Sequence, residues 1–439
     1  MNLDVKTGNR STRRAHLATA AALVGSSALA AACGASGGGQ PVASAQPKTV
    51  VYYTKWISGA RAEVIKQALA EWAKRYPLYQ VDRRDLSGNA TEAIQTLIAA
   101  DTMGDLMHWT PSIFVDFAKR GLFVDAAPYM KKNKLSLDDF YYVPSLITYE
   151  KKTYGYPFQF LYANWLYNKT LFRQKGIKEP VDGWTWEDAV AAARALTDAS
   201  SNTYGFEQPR DSSVRVYVWP LGGDERNKEN TKTTYDSPEM VEAITFWADM
   251  ANRQRYAPTP KEATDKKLSI PQGNFGMWFN TASRAFDAQV AGKFEWDVMY
   301  SPKHAKTGKR FVIFQDQPHV VTTAAQKHNT LDEAALLGCF FSGEFVQGVI
   351  AKIGDTAPCY KKWLDSDEYL DAKKWNRKML RDSASSFKDE GQGIENWQAW
   401  SDATRPELTK ALNGEVSPRE AGVAATRAGD AVLAKNSAK

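Results

Sequence analysis

The sequence predicts an α/β fold, and the clearest observations lie between residues 49 and 98. Thr49–Tyr53 is a run of β-branched and aromatic residues, which is typical of a strand. Apolar residues then recur at helical spacing along Val64–Ala73, before a stop at Pro77. A second short strand is predicted at Tyr79–Val81 and a second helix around Ile94–Ile98. Strands and helices that alternate at this spacing indicate a parallel sheet covered by helices.

The later part of the chain has the pattern of helices joined by turns, with occasional strands. Four helix starts share a Ser or Thr N-cap followed by an acidic residue within three positions. These starts are Thr185–Asp188, Ser237–Glu239, Thr330–Glu333 and Ser417–Glu420. A strand with glycines close by is predicted at Asn274–Phe279. We therefore expect an α/β half early in the chain and a more helical half later.

The first fifty residues have the composition of an export signal followed by a tether. Arg10, Arg13 and Arg14 precede an apolar run at 17–32, which is shorter than the ~20 residues that a membrane span needs. The stretch 34–47 is rich in Gly, Ser and Pro, as flexible linkers are. We expect a signal peptide at 1–32 and a lipid-anchored tether at 33–47.

The expected lipid anchor depends on one cysteine. Ala30–Cys33 resembles a bacterial lipobox, in which the cysteine becomes the lipidated first residue of the mature protein, although Leu29 stands one place too early. The alternative is an ordinary signal peptide cut after an Ala-x-Ala site, and the tether favours lipidation. Arg13-Arg14 also resembles a twin-arginine export motif, but His16 stands where that motif prefers Phe. Twin-arginine export and general secretion therefore both stay open.

Composition is that of an ordinary globular protein and excludes several classes. Of the 439 residues, 43% are hydrophobic and 24% are charged, which excludes a disordered chain. The net charge of +6 is spread without long Lys/Arg blocks, so we expect no nucleic-acid partner. Cys339 and Cys359 could form a disulfide, but two buried free thiols are favoured. The histidines are scattered, so no metal and no cofactor are expected.

A series of different short motifs extends along nearly the whole mature chain. They are Asp105-Leu106, Gly121–Asp125, Tyr154–Pro157, Leu166–Phe172, Lys175–Ile177, Trp184–Asp188, Tyr204–Phe206, Gln272–Met277, Trp296–Val298 and Ser301-Pro302. This series resembles the family 1 extracellular solute-binding proteins, the substrate receptors of carbohydrate importers driven by an ATP-binding cassette (ABC). No single motif is specific, whereas their order is.

The resemblance implies a two-lobed periplasmic-binding-protein fold of type II, with a ligand cleft between lobes joined by a hinge that the chain crosses more than once. We expect lobe 1 to contain 48–158 and about 277–330, and lobe 2 to contain about 159–276 and 331–439. The resemblance also implies a carbohydrate ligand (an oligosaccharide or a glycoside), ABC permease subunits as partners, and a monomer. With the lipid anchor, the protein would lie on the outer face of the cytoplasmic membrane, at the cell surface or in the periplasm.

Candidate ligand contacts are aromatic and polar residues on predicted loops, because sugars offer C–H faces to aromatic rings and hydroxyls to polar groups. Trp56 follows the first strand, where a βα loop faces the cleft. Trp109, Trp397, Trp400 and Arg405 lie where the resemblance implies sugar contacts. For any one Trp, core packing is the alternative. A strand shows only every second side chain to the cleft, so alternation makes either Gln159, or Tyr162 with Asn164, candidates. The remaining candidates are Trp219 and Asp224 beside a Gly-Gly turn, and Asn280, Ser283 and Arg284 at a predicted helix start.

The sequence carries no H-E-x-x-H, G-x-S-x-G or P-loop motif, so we do not expect an enzyme. A secreted glycoside hydrolase is the enzyme alternative, because its two carboxylates would meet only in space. Receptors of the same fold for a polyol phosphate, a peptide or a polyamine are the binding alternatives. Arg284 and Asp224 leave these open, since a phosphate needs cations and a polyamine needs carboxylates.

Overall fold

A computed structural model describes residues 46–281, 284–370 and 375–437 of the chain. The predicted signal peptide, Cys33 and the tether as far as residue 45 lie outside the described residues, as does Ser283. Within them the fold is α/β, as predicted, but the sheet is mixed rather than parallel.

The strands of the described residues are numbered in chain order. They are β1 (Lys48–Thr54), β2 (Tyr79–Asp85), β3 (Leu106–His108), β4 (Thr148–Tyr149), β5 (Lys152–Thr153), β6 (Gly155–Asn168), β7 (Tyr204–Phe206), β8 (Phe275–Asn280), β9 (Trp296–Val298), β10 (Val312–Val321), β11 (Ala357–Pro358) and β12 (Phe387–Asp389).

The helices are numbered in the same way. They are α1 (Gly59–Arg75), α2 (Ala90–Ala99), α3 (Phe114–Lys119), α4 (Ala127–Lys132), α5 (Pro144–Ile147), α6 (Lys169–Gln174), α7 (Trp186–Leu196), α8 (Asp211–Val218), α9 (Pro238–Asn252), α10 (Pro260–Asp265), α11 (Arg284–Val290), α12 (Ala324–Lys327), α13 (Leu331–Ser342), α14 (Glu344–Ile353), α15 (Lys361–Leu364), α16 (Asp367–Leu370), α17 (Lys378–Asp382), α18 (Trp397–Leu412) and α19 (Pro418–Ser437). Short 3-10 turns lie at Pro111–Ile113, Leu137–Asp139, Ala199–Ser201, Trp219–Leu221, Ile270–Gln272 and Ala384–Ser386.

One large sheet runs through the molecule in the order β2-β1-β3-β10-β6-β8-β7, with β12 on β10 and with β9 and β11 on β6. β1 pairs in parallel with β2 and β3, which confirms the predicted parallel unit. β10 is antiparallel to both β3 and β6, and the sheet becomes mixed there. A separate hairpin joins β4 and β5.

Strand β6 belongs to both halves of this sheet. Its first part, Gly155 to Ala163, pairs with β10, whereas its last part, Asn164 to Asn168, pairs with β8 and β9. At about 3.3 Å per residue, its 14 residues span roughly 45 Å. β6 and β10 are therefore the strands that cross between the two halves, and we call them the crossing strands.

Each half has its own hydrophobic core. In the first lobe, α1, α13 and α14 pack on β1 and β3, through side chains such as Trp72 and Phe341. In the second lobe, α7, α9 and α18 pack against β7, β8 and the end of β6. Trp165 and Trp247 stack at its centre, with ring centroids 5.6 Å apart. Gly205 lets β7 approach α7 closely, because a Cβ there would lie 2.2 Å from the Ala193 backbone.

The lobes differ from the expected division in two places. Residues 331–353 were expected in lobe 2. They form α13 and α14 and pack in the first-lobe core, where α13 is buried around almost its whole circumference. Residues 277–280, expected in lobe 1, belong to β8 and lie in the second lobe, paired with β6 and β7. The other boundaries stay predictions.

Three of the four predicted N-caps form. Thr185 and Asp188 make a capping box at α7, and the Ser237 hydroxyl accepts a hydrogen bond from Met240 N at α9. At α19, Ser417 and Glu420 bond reciprocally. The cap predicted at Thr330 is wrong, because its backbone (φ −120°, ψ 16°) does not place the hydroxyl on the first turn of α13.

Cys339 and Cys359 are buried and free, which confirms the favoured interpretation of the two thiols. Across the described ranges, no single helix combines the length and apolar composition of a membrane span; the pair Leu331–Ser342 and Glu344–Ile353 does so together, with a bend of 43°.

Two buried histidines lie side by side on the first-lobe sheet. His108 of β3 pairs with His319 of β10, and their ring centroids are 5.0 Å apart. The Tyr52 hydroxyl lies 2.8 Å from Nε2 of His319, whereas neither ring nitrogen of His108 has a partner among the described residues. Burial, reinforced by the charge of Lys55, lowers the pKa of both imidazoles well below its usual value. Both rings are therefore neutral at pH 7.

We predict that acid destabilises the protein through these histidines. Their pKa is depressed in the folded state, whereas a His in the unfolded chain titrates near 6.5, so below that pH only the unfolded state gains their protons. From pH 7 to pH 5, each should remove about 2 kcal/mol from the free energy of unfolding.

The variant His108→Leu should reduce that loss by about 2 kcal/mol, measured by urea unfolding at both pH values. Asp316, whose pKa burial raises, opposes the trend equally in both proteins and cancels from the comparison. An equal loss in both proteins would contradict the prediction.

Candidate functional site

Strand ends from the two lobes face each other. β10 ends in the first lobe, where it is antiparallel to β3. β3, and β1 parallel to it, therefore run toward the second lobe. β7 and β8 run toward the first lobe, because β8 is antiparallel to the last part of β6. In open α/β sheets, ligands bind beyond the carboxyl ends of the strands. The candidate site is therefore the cleft between these strand ends, beside the crossing strands.

A cavity of about 170 Å³, the central cavity, lies at the second-lobe side of this cleft. Its apolar lining residues are Leu161 and Ala163 of β6, Phe279 of β8 and Ile313 of β10. Its polar lining comes from the end of β8, the start of α8, β10 and the residue after β12. These polar residues are Arg210, Ser212, Asn280, Thr281, Gln315 and Glu390.

Two further cavities adjoin the central one, and each shares one residue with it. The Arg405 cavity, of about 300 Å³, shares Arg210 and is lined by Arg405 of α18. The Gly222 cavity, of about 600 Å³, shares Glu390 and is lined by the turn Gly222–Asp224 and by Lys388 of β12. Arg210 and Glu390 are therefore the residues through which the other two cavities meet the central one.

Among the described residues, the arginine side chains that line the central and Arg405 cavities are paired with carboxylates. Arg210 contacts Glu207, a buried carboxylate that also accepts a hydrogen bond from the backbone of Phe279. Burial raises the pKa of Glu207. Arg405 Nε lies 3.0 Å from Asp211 Oδ2. The charges around these two cavities are therefore balanced, and a ligand there meets hydrogen-bonding groups rather than a net positive field.

Glu390 is fixed from behind by a buried arginine. Arg215 of α8 is 2% exposed and lies 2.9 Å from carboxylate oxygens of both Glu225 and Glu390, with Asp211 at 3.6 Å. Burial alone would lower the pKa of Arg215, but Glu225, Glu390 and Asp211 outweigh it and raise that pKa well above its usual value. Arg215 thus holds Glu390 at the boundary between two cavities.

The segment that begins with β12 connects the lobes, and we call residues 387–396 the bridging segment. On the first lobe, the Ser145 hydroxyl donates to Asp389 and Lys119 pairs with Glu395, both at 2.8 Å. The backbone N–H of Asn396 donates to Asp116 at 2.7 Å. On the second lobe the segment is held through Glu390. Its position therefore depends on both lobes.

Trp56 and Trp109, expected as sugar platforms, are both buried in the first lobe. Trp56 packs on Phe158, with ring centroids 4.6 Å apart, and is 2% exposed. Trp109 is fully buried and packs edge-on against Phe117 and Phe123. Trp56 belongs to the hydrophobic cluster on one face of the sheet and Trp109 to the cluster on the other face. The two indoles therefore lie on opposite faces of the sheet. Both rings are occupied by packing.

Beside Trp109, Lys55 lies at the first-lobe edge of the cleft. Its Nζ donates to the carbonyl oxygen of Trp109 at 2.8 Å. Burial, with the charge of Arg61, lowers the pKa of Lys55 to about 7. Near neutral pH this amine therefore exists in both protonation states.

The candidates on β6 fall on two faces of the strand. Gln159 donates through its amide to Gln317 at 2.7 Å and shares the face of the cavity-lining Leu161 and Ala163. Tyr162 and Asn164 lie on the opposite face, where the Asn164 amide donates to the carbonyl oxygen of Met299. All three candidates are buried, and Gln159 is the one that faces toward the cleft.

The candidates at the Gly-Gly turn contact one another. Trp219 is 3% exposed, its Nε1 donates to Asp224, and Lys388 lies over its ring at 4.7 Å. Asp224 lines the Gly222 cavity and pairs with Lys388 at 2.8 Å. Asn280 is exposed and lines the central cavity. Arg284 begins α11, but its side chain lies outside the described residues, as Ser283 does entirely.

The late tryptophans are part of the second-lobe core. Trp400 is 1% exposed, with Arg226 over its ring at 4.3 Å. Trp397 is also buried, with Arg405 over its ring at 5.5 Å. Arg405 itself lines the cavity that carries its name.

Sequence reasoning missed Arg210, Gln315 and Glu390 in the central cavity. Arg210 could have been found, since it follows the predicted strand at Tyr204–Phe206 in the same way that Trp56 follows the first strand. Gln315 and Glu390 carry no comparable signal. They reach the cavity because β10 pairs with β6 and β12, which are strands far from it in the sequence.

A sequence profile described as "Bacterial extracellular solute-binding protein" matches residues 57–336. Binding proteins of Brucella abortus (strain 2308) and Brucella suis biovar 1 (strain 1330) are 27% identical to this chain over 194 residues. The aligned part is 42% of this chain and 46% of each relative, so the chain spans about half the length of the curated relatives it matches.

Solved structures match over most of the chain. An ABC substrate-binding protein from Listeria monocytogenes, in complex with cycloalternan, is 25% identical with a TM-score of 0.77, over 89% of this chain and 99% of that one. A cyclic alpha-maltosyl-1,6-maltose binding protein from Arthrobacter globiformis is 19% identical (TM-score 0.73, 89% and 100%). UgpB from Mycobacterium tuberculosis, in complex with glycerophosphocholine, is 13% identical (TM-score 0.72, 89% and 99%). The last two similarities show the fold alone, and the predicted two-lobed fold is confirmed.

The buried network around Arg215 can be tested without a ligand. Arg215→Met should lower the free energy of unfolding by about 3–5 kcal/mol, because it leaves Glu225 and Glu390 buried without their cation. The control Arg253→Met breaks a pair with Asp249 on the surface, where the arginine is 71% exposed, and should change stability little. Equal effects of both variants in urea unfolding would contradict the central role of Arg215.

Proposed function

This chain belongs to the bacterial extracellular solute-binding proteins, and we propose that it captures a neutral carbohydrate in the cleft and delivers it to the membrane subunits of an ABC importer. The observation that carries the proposal is the central cavity. Asn280, Gln315 and Glu390 offer amide and carboxylate groups to hydroxyls there, and Leu161, Ala163 and Ile313 offer an apolar surface to a sugar C–H face. Membership of this family implies an exported protein.

The balanced charges favour a sugar over the other ligands that the fold accepts. The fold alone does not choose, because its neighbours are described with cycloalternan and with glycerophosphocholine. A phosphate group needs unpaired cations, whereas Arg210 and Arg405 are paired with Glu207 and Asp211. A polyamine needs unpaired carboxylates, whereas around the central and Arg405 cavities Glu207 and Asp211 are engaged in these pairs and Glu390 is paired with Arg215. A neutral ligand with many hydroxyls fits both observations.

We propose Asn280, Asp224 and Arg405 as ligand contacts that sequence reasoning identified, and Arg210, Gln315 and Glu390 as further contacts. Gln159 is fully buried and lines none of these three cavities, so it is not among the proposed contacts. The tryptophans expected as platforms are engaged in packing, and so is Phe279, which is 4% exposed and packs edge-on against Trp165. We therefore propose Leu161, Ala163 and Ile313 as the apolar contacts of the central cavity. Ligand would bind as the lobes close about the crossing strands, a hinge motion of two nearly rigid bodies.

The central cavity can be tested with a variant that keeps its volume. Gln315→Leu removes a side-chain amide that makes no hydrogen bond with the residues that the structure describes, so affinity for the bound sugar should fall about tenfold while stability changes little. Affinity would be measured by titration calorimetry, with a sugar chosen by thermal shift from a panel of neutral mono- and oligosaccharides.

The matched control Gln272→Leu changes an exposed residue outside the three cavities and should bind as the wild type does. Thermal shifts with glycerol phosphates or polyamines, and none with sugars, would overturn the carbohydrate proposal.

We propose that the sugar leaves the protein unchanged. Two carboxylates near the central cavity, Glu207 and Glu390, have pKa values raised by burial, so they are the pair that a hydrolase would use. Each contacts an arginine, Glu207 with Arg210 and Glu390 with Arg215, which suits binding rather than proton transfer. Chromatography of oligosaccharides after incubation should therefore find no shorter products. Products that disappear with Glu207→Gln or Glu390→Gln would favour the hydrolase.

We further propose that Cys33 carries lipid and anchors the receptor to the membrane. The support is the apolar run, the Ala32-Cys33 junction and the Gly/Ser/Pro-rich stretch after it. Mass spectrometry of the mature N-terminus should find a multiply acylated Cys33, since one chain alone binds membranes only marginally. An unmodified N-terminus downstream of Cys33 would contradict this, and Cys33→Ser should release the protein from the membrane fraction.

A further inference from the structure

The start of β1 lies at the end of the first lobe that is remote from the cleft. The backbone N–H of Lys48 donates to the carbonyl oxygen of Leu78, in the turn between α1 and β2, and Lys48 pairs with Tyr79. From there β1 runs toward the second lobe, and its seven residues span about 23 Å. The part of the chain that precedes β1 therefore joins the fold far from the cleft.

The ends of two helices lie at this same end of the lobe. A cavity of about 470 Å³ is lined by Arg75 and Tyr76, where α1 ends, and by Asn133, where α4 ends. β1, α1 and α4 therefore contribute to one surface. We call it the tether-end face, and it consists of Lys48, residues 74–79 and residues 131–134.

The tether-end face is rich in cations and contains no carboxylate side chain of its own. Its six cations are Lys48, Lys74, Arg75, Lys131, Lys132 and Lys134. From neighbouring residues, Glu333 and Asp332 each pair with one of these cations, and Glu71 pairs with two. Lys131 and Lys134 are exposed and have no carboxylate partner among the residues that the structure describes. The face therefore keeps an excess of positive charge, which an anionic partner would match.

Between the cations, the tether-end face presents apolar and aromatic side chains. Leu78 is 44% exposed, and half-buried Tyr76 and Tyr79 lie on either side of it along the chain, with their rings stacked 6.3 Å apart. At a bilayer surface, Tyr rings lie at the level of the headgroups, apolar side chains enter the acyl boundary, and Lys and Arg meet anionic headgroups. The composition of this face is that of a surface in contact with a membrane.

The length of chain before β1 brings the tether-end face close to the proposed lipid anchor. The 14 residues from 34 to 47 separate Cys33 from Lys48. A chain of this length reaches at most about 50 Å, and Gly/Ser-rich sequences of this length span about 20 Å on average. A connection so short gives the face an effective concentration in the millimolar range at the bilayer. Even a weak attraction is then enough to hold the face on lipid.

We infer that the tether-end face docks on an anionic phospholipid surface, with Lys131 and Lys134 at the phosphates and Leu78 at the acyl boundary. The inference uses the proposed lipid anchor and is independent of the ligand. A receptor docked in this way holds its cleft at least about 23 Å from the lipid, which is the length of β1. The cleft therefore stays open to the surrounding medium while the receptor waits for solute.

The test measures which lysines become inaccessible on a membrane. The mature protein with its lipid is added to preformed vesicles of phosphatidylcholine, alone or in an equal mixture with phosphatidylglycerol, and is treated with a trace of acetic anhydride. On the anionic vesicles, acetylation of Lys74, Lys131 and Lys132 should slow by about threefold relative to the neutral vesicles. Acetylation of Lys175 and Lys178, which are exposed on the second lobe, should not change. Salt at about 1 M should remove the protection, because the Debye length then falls to about 3 Å.

A pair of double variants assigns the protection to the tether-end face. Lys131→Gln with Lys134→Gln removes the two unpaired cations, and Lys74 and Lys132 should then be acetylated at nearly the same rate on both kinds of vesicle. The control, Lys175→Gln with Lys178→Gln, removes two exposed lysines at the same spacing and should keep the protection. All four substitutions replace exposed side chains, and thermal melts should match the wild type.

The possible failures are distinguishable. Equal acetylation of the wild type on both kinds of vesicle would overturn the docking inference while the lipid anchor stands, and so would protection that includes Lys175 and Lys178. Full protection in the Lys131→Gln, Lys134→Gln variant would overturn it as well. A wild-type protein that attaches to neither kind of vesicle would show that the anchor is absent, and the inference would fall with it. Sugar binding is measured in solution, so none of these results bears on the proposed function.

Discussion

The antiparallel pairing of β6 with β10 is the constraint on which the rest of the structure depends. Both strands start in one lobe and end in the other, so the same ladder of backbone hydrogen bonds fixes the distance and direction between the two cores. The register shifts once, between Gln317 and His319, where Pro318 supplies no N–H. Beyond this bulge, Gln159, Leu161 and Ala163 share one face with the β10 residues opposite them, and this face lines the cleft.

The second constraint is the buried guanidinium of Arg215, which joins the second-lobe core to the bridging segment. Buried ion networks contribute little net stability compared with apolar packing, but they determine where their members lie. Here the network positions Glu390 at the cavity boundary. Asp389, which precedes it, and Glu395, five residues later, bond to the first lobe. The proposed ligand contact at Glu390 is therefore attached, within a few residues, to contacts with the first lobe. In the proposed hinge closure, the bridging segment would therefore link the movement of the lobes to the site.

Local signals in the sequence predicted what depends on neighbours in the chain, and failed where distant pairing decides. β1, α1 and the caps at Thr185 and Ser417 follow from residues a few positions apart, and all form. The lobe of α13 could not be predicted, because a helix that is apolar on all sides fits any core. Strand alternation gave two possible faces for β6, and the bulge that selects one lies in another strand. The same limit applies to the tryptophans, since composition cannot tell a platform from a core residue, whereas Asn280, Asp224 and Arg405 were found at cavities.

Balanced charges explain how such a site can be selective without being strongly charged. An arginine that is already paired to a carboxylate has given up most of its long-range field, so salt screens its remaining interactions little. What it retains is direction, because the planar fork and the carboxylate hold each other at fixed angles. A hydroxyl that meets these groups gains hydrogen bonds only at the right position, and a ligand that lacks the hydroxyl leaves a buried polar group unpaired. Under the proposed function, discrimination among neutral sugars would come from geometry that Arg215 and the crossing strands set before any ligand arrives.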